Sequence, residues 1–239
     1  YQNSFLVSYK KITSFANPRR TMLLRAERKL CKDPNGPLIV ALSDYIAQQL
    51  RQNYSVDERR IVVIPNGVKI DKHTDTAEAD ILRSQTLAEL NLKEADNPVL
   101  FLFVANNFRL KGLSPLIKAM HLAAPAVYLV IAGRDNPRKY RRLAKKLNVH
   151  KRIVFLGIVP HIHNAISATD VAVLPTFYDP SSRFILEALA ENKPVITTEF
   201  NGAIDLFVDG RHGKVIDSPE NVPALADAIN YFANPDNIK

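Results

Sequence analysis

From Val99 to Phe232 short apolar runs alternate with stretches of helical periodicity, and this alternation leaves few folds open. Val99–Val104, Val127–Ala132, Val171–Leu174 and residues 153–156 and 194–198 have strand length and little or no polar alternation. Between them, residues 114–124, 136–147, 161–168 and 181–190 read as helices, with Leu116, Ile117, Met120 and Leu122 at roughly helical spacing in the first. Val215-Ile216 is a further short strand ahead of a helix over Val222–Phe232. Strands apolar on both faces, separated by helices, predict an α/β fold: a parallel sheet with helices on both faces. Such a sheet places ligand sites beyond the carboxyl ends of its strands.

The first part of the chain is sparser. Residues 38–42 read as a strand, Ser43 can cap a helix over 44–51, and residues 61–64 read as a second strand stopped by the turn sequence Pro65-Asn66-Gly67. Residues 71–79 are polar and read as a linker. Two strands and a helix bury little surface alone, so this part is expected to be the tail of a preceding domain. Its strands, lacking their sheet, are expected to pair with another chain or stay disordered. The chain begins with Tyr1 rather than Met, which fits part of a longer protein.

Net charge is +8, which favours phosphorylated ligands, nucleic acid or an anionic membrane as partners. The charge concentrates in residues 138–152, where Arg138, Lys139, Arg141, Arg142, Lys145, Lys146, Lys151 and Arg152 occur without an acid. This cluster is either a solvated helix face or a contact for a polyanion, and a membrane surface is the better functional version if the acceptor is lipid-linked. The scattered aromatic residues make no stacking platform, so nucleic acid is not expected. His161 and His163 are two apart, which does not put both on one helical face, so no metal site is expected. Cys31 is the lone cysteine, no apolar run approaches the roughly 20 residues of a membrane span, and no leader pattern is visible. These favour a reducing, cytoplasmic setting over the glycosylation reading of Asn53-Tyr54-Ser55.

Neither G-x-G-x-x-G nor a Walker loop is present, but three strand ends carry anion-binding features. Arg109 and Lys111, ahead of Gly112, can point to one side of a loop as a planar fork and a point charge. Taken alone, they read more readily as a solvated basic loop. Gly133 would let a ligand approach the backbone, or simply serve a strand-to-helix turn. Residues 175–182 open a helix whose free amides, with Ser181 and Ser182, can bind an anion, while Asp179 and Glu187 can accept from hydroxyls of a polyol. The alternative is an N-capping Asp179 and a partly buried Glu187 paired to a cation.

With these residues in hand the chain resembles family 4 glycosyltransferases, especially the lipopolysaccharide core glucosyltransferase type. The segments that carry the resemblance stand in order: Ile64-Pro65-Asn66-Gly67-Val68, the loop ending in Lys111-Gly112, Ile131-Ala132-Gly133, Val154-Phe155-Leu156-Gly157, Asp170 to Pro175, Leu186-Glu187-Ala188-Leu189-Ala190, and Lys193-Pro194-Val195-Ile196-Thr197-Thr198. The resemblance implies a GT-B fold, with residues 1–72 the remnant of an acceptor-binding domain plus linker and residues 73–239 a Rossmann-like donor domain. It implies a retaining transfer of a hexose from a nucleotide-sugar, with UDP as the expected nucleotide, to a glycan or lipid-linked acceptor, without metal or other cofactor. A non-catalytic nucleotide-sugar binding module is the alternative.

Carried over by position, Lys111 and Arg109 would neutralise the diphosphate, Asp179 would contact sugar hydroxyls and Glu187 the ribose. Amides of Ser181, Ser182 and Arg183 would face the sugar or distal phosphate, and Gly157 and Ile158 would hold the base. Three departures stand out: Asp179 where the family has glutamate, Ser181-Ser182 where it has Phe-Gly, and Asn192 where it has glycine.

Overall fold

The structure, a computed structural model, describes residues 18–69 and 76–238. Two compact units divide the chain, Tyr1–Ile64 and Pro65–Lys239. The division falls ahead of the expected boundary between residues 72 and 73.

The first unit contains α1 (Pro18–Lys32), β1 (Ile39–Ala41), α2 (Asp44–Tyr54), a 3-10 turn at Glu58–Arg60 and β2 (Ile61–Val63). Ser43 caps α2 as expected, its Oγ accepting from the Ile46 amide at 3.3 Å. Against expectation, β1 and β2 find a partner in each other, pairing in parallel from Ile39 with Ile61 to Ala41 with Val63. α1 was not anticipated, because Met22, Leu23 and Leu30 stay exposed and Cys31 is its one buried side chain. Polar bonds hold it instead. Tyr54 Oη donates to Glu27 Oε1 at 2.8 Å, and the Arg60 guanidinium donates to the carbonyls of Leu30, Cys31, Asp33 and Pro37.

The second unit begins with α3 (Thr76–Leu90), which overlaps the expected linker; residues 71–75 of that linker lie outside the described residues. Its polar first turn hides a stripe of Ala79, Leu82, Thr86, Leu87 and Leu90 at helical spacing, which packs into the core. Then follow β3 (Val99–Val104), α4 (Leu113–Leu122), β4 (Val127–Ala132), α5 (Arg138–Lys146), β5 (Ile153–Gly157), α6 (Ile162–Ser167), β6 (Val171–Leu174), α7 (Arg183–Ala190), β7 (Val195–Thr198), β8 (Gly213–Ile216) and α8 (Val222–Phe232). The strands pair in parallel in the order β5-β4-β3-β6-β7-β8. α4 packs against α5 and α8, and α3 against α6. The expected helix-covered parallel sheet is what the chain forms, with Leu100, Phe101, Leu102 and Phe103 of β3 buried at its centre.

The strand order fixes where a ligand can sit. From β3 the chain steps outward through β4 to β5, then returns to the other side of β3 as β6 and continues outward to β8. The loops after β3 and β6 therefore leave the sheet in opposite senses and open a crevice at its carboxyl end. At the amino end, Asp170 ties the same two strands together. Its Oδ2 accepts from the Leu100 amide at 2.7 Å, and its Oδ1 lies 3.2 Å from the guanidinium of Arg83, which also pairs with Glu94.

Candidate functional site

The loop after β3 is built around close approaches. Gly112 (φ 80) caps α4, and a Cβ there would stand 1.8 Å from the Pro175 carbonyl oxygen. The Phe177 amide donates to the Leu110 carbonyl at 2.9 Å, so this loop and the one after β6 are joined directly. Lys111 is thereby brought over the crevice. Its Nζ lies 2.7 Å from Asp179 Oδ2 and donates to the Tyr178 carbonyl at 3.0 Å. Both side chains are largely shielded, 20% exposed for Lys111 and 13% for Asp179. Arg109, two residues earlier, is exposed and makes no ion pair among the described residues.

Asp179 is held from behind by the turn after β7. Its amide donates to the Phe200 carbonyl and its carbonyl accepts from Gly202, both at 2.9 Å. Between them lies Asn201, fully buried, whose Oδ1 accepts from the amides of Ser182 and Ala203 at 3.1 Å and whose Nδ2 donates to Thr197 Oγ1 at 2.9 Å. Sequence reasoning missed Asn201, and nothing in its neighbourhood signals a buried organiser. It also gave Asn66 no contact. Asn66 Nδ2 donates to the Ser181 carbonyl at 2.9 Å, fastening the Pro65-Asn66-Gly67 turn to the start of α7.

Of the three amides expected to meet a ligand, those of Ser181 and Ser182 are engaged and that of Arg183 is open, as are the next two in the helix. Ser181 donates to Asp179 Oδ1 at 3.3 Å and Ser182 to Asn201, so both are already engaged inside the protein. The amides of Arg183, Phe184 and Ile185 open the first turn of α7 and find no acceptor among the described residues. Ser182 is the residue preceding the helix, and neither it nor Asp179 caps it by side chain. Glu187, 11% exposed, is paired with Arg183 one turn earlier at 3.2 Å, whereas the Arg183 side chain is 67% exposed. Glu187 is thus paired to a cation, whereas Asp179 does not cap the helix.

The flanking positions behave differently from one another. A Cβ on Gly133 (φ 138) would lie 1.7 Å from the Ala105 carbonyl oxygen, so the space beside it is occupied by the end of β3, and its amide donates to the Gly157 carbonyl at 2.7 Å. Its glycine serves strand packing. Gly157 (φ 74) faces open space and Ile158 beside it is exposed. Asn192, where the resemblance implies glycine, takes the left-handed conformation with φ 57. No group of three or more His, Cys, Asp or Glu that could hold a metal ion occurs among the described residues.

The crevice therefore presents a lysine and a carboxylate in contact, unpaired helix amides and a second acid a helix turn deeper, which suits a polyol carrying phosphate. Comparison with known proteins agrees with that character. The family model described as "Glycosyl transferases group 1" matches residues 87–237, and that described as "Glycosyltransferase Family 4" matches residues 4–72. The lipopolysaccharide glucosyltransferase WaaG of Escherichia coli K12 is 26% identical over 210 residues, which cover 85% of this chain and 54% of that protein. The chain thus spans about half the length of the curated relatives it matches. Among solved structures, WaaG superposes with a TM-score of 0.80 at 22% identity, covering 99% of this chain and 62% of that one. Anabaena HepE, solved with UDP and glucose, gives 0.76 at 23% identity over 90% of this chain and 58% of its own. The expected GT-B type of α/β fold is confirmed by these superpositions.

Proposed function

We propose, from the premise that this chain belongs to the group 1 glycosyl transferases, that residues 73–239 bind the nucleotide-sugar donor of a retaining hexosyltransferase. Residues 1–72 would belong to the domain that receives the acceptor, a glycan or lipid-linked glycan such as lipopolysaccharide core. The observation that carries the reading is the meeting of Lys111 and Asp179 across the crevice between β3 and β6, beside the open amides of α7. UDP is the favoured nucleotide because HepE, of the same fold, was solved with it.

In this reading an acceptor hydroxyl oxygen bonds to the sugar C1 as the bond from C1 to the diphosphate oxygen breaks, and the leaving group takes up the negative charge and then the hydroxyl proton. Lys111, the α7 amides and Arg109 at the rim favour that charge more in the transition state than in the ground state. Glu187 turns from Arg183 to the ribose hydroxyls, and the open backbone at Gly157 and Ile158 faces the base. An acceptor anchored in lipid would bring the protein to an anionic surface, and the basic face of α5 is the part suited to meet it.

Calorimetry with UDP tests the site. Lys111→Ala should weaken UDP by roughly tenfold to a hundredfold, as expected for removing a charge-assisted contact. Glu187→Ala should weaken UDP more than inorganic pyrophosphate, which has no ribose. Undiminished UDP binding by the first variant, or equal losses for the two ligands in the second, would remove the corresponding role.

A further inference from the structure

We infer that Asp179 makes this site prefer a glycosylated nucleoside diphosphate over the bare one, and that it does so through Lys111. This rests on the donor-site reading above and adds a discrimination to it.

The ammonium of Lys111 has three donors. One is spent on Asp179 Oδ2 at 2.7 Å and one on the Tyr178 carbonyl at 3.0 Å. A diphosphate that draws on Lys111 must therefore share it with a carboxylate or pull it away. Asp179 cannot follow the lysine, because its backbone is fixed on both sides by Phe200 and Gly202. Nor is it open to solvent, being 13% exposed, and its other oxygen has only the Ser181 amide at 3.3 Å. Sharing the lysine sets phosphate charge beside the shielded carboxylate, and pulling it away leaves that carboxylate short of a partner, so a bare nucleoside diphosphate is opposed either way.

A hexose on the same diphosphate changes that balance. Its hydroxyls are donors, and a carboxylate that has given up a lysine is the acceptor they need. The carboxylate then opposes both ligands at the phosphate and repays only the one that carries sugar. Once the sugar has left, Asp179 regains its claim on Lys111, which favours departure of the nucleoside diphosphate.

The experiment is calorimetry with UDP and UDP-glucose on the chain as it stands, for the wild type, Asp179→Asn, Asp179→Glu, Lys111→Ala and the double variant Lys111→Ala/Asp179→Asn, each checked for an unchanged thermal transition. Asp179→Asn should bind UDP about tenfold more tightly than wild type while gaining nothing for UDP-glucose. Asp179→Glu should keep the wild-type preference. In the Lys111→Ala background the asparagine should shift UDP binding by less than about threefold. Equal losses for both ligands in Asp179→Asn, no change in either, or a tenfold gain that persists without Lys111 would overturn the inference. A wild type that binds both ligands with Asp179→Asn unchanged defeats this inference alone, whereas a wild type that binds neither defeats the donor-site reading and the inference with it.

Discussion

Gly133 follows β4 and Gly157 closes β5, both at positive φ, yet their surroundings separate them. At Gly133 a methyl group would run into the Ala105 carbonyl, and at Gly157 it would meet nothing within 4 Å. Gly133→Ala should therefore destabilise by about 2–4 kcal/mol, lowering the melting temperature by roughly 5–15 °C. Gly157→Ala carries only the left-handed backbone term of about 1–2 kcal/mol. A thermal melt of the two variants checks the order; equal losses would deny the role of the Ala105 contact. At this scale the sequence was informative wherever a residue type is itself the signal. Lys111, Asp179 and Glu187 are legible because charged groups at strand ends invite a ligand, and Asn192 because few residues accept left-handed geometry. Asn66 and Asn201 are not legible, since their work is to bond backbone groups of residues distant along the chain.

Among the elements, the strands of the second unit were the most legible, because runs such as Val99–Val104 are apolar on both faces and admit one place in a sheet. α3 was hidden by its polar opening turn and α1 by having almost no buried face. The link between α3 and the sheet runs through Arg83, which bonds Asp170, Glu94 and the Ala168 carbonyl at the amino ends of the strands. Arg83→Met should cost about 1–3 kcal/mol of stability, reduced by the exposure of Glu94, and should leave UDP affinity unchanged because the donor crevice lies at the opposite sheet end. Denaturant melts and calorimetry on the same variant separate the two effects. A loss of affinity with no loss of stability would contradict this placement. The position of Asp170 within a family motif thus has a structural explanation in the anchoring of β3 and β6.

For the whole molecule the uneven charge is the feature the crevice does not use. Arg138, Lys139, Arg141, Arg142, Lys145 and Lys146 are all exposed on α5, while Tyr140 and Ala144 turn inward, and none of the six is paired with an acid among the described residues. Lys139 and Arg141 lie over the rings of Tyr140 and Phe155 at 4.7 and 4.6 Å, which leaves the others facing outward. The chain should co-sediment with vesicles containing anionic phospholipid but not with neutral ones. Reversing Arg142, Lys145 and Lys146 to Glu should lower that binding by roughly a hundredfold, and high salt should do the same. Equal binding to neutral vesicles, or a stronger affinity for duplex DNA than for anionic vesicles, would reject the membrane role. The helix period and the charge of α5 were readable in the sequence, whereas its lack of acidic neighbours depends on the fold.

The strand order has one more consequence. β3 and β6, from which the donor loops hang, are the two innermost strands, and β5 and β8 are the rims. Opening fluctuations in a sheet start where a strand has a neighbour on one side only, so the rims loosen first and the middle last. The Lys111–Asp179 contact is thus suspended from the strands expected to exchange their amides last. Loosening that begins at β5 or β8 on heating should therefore reach the crevice only after the strands between have opened.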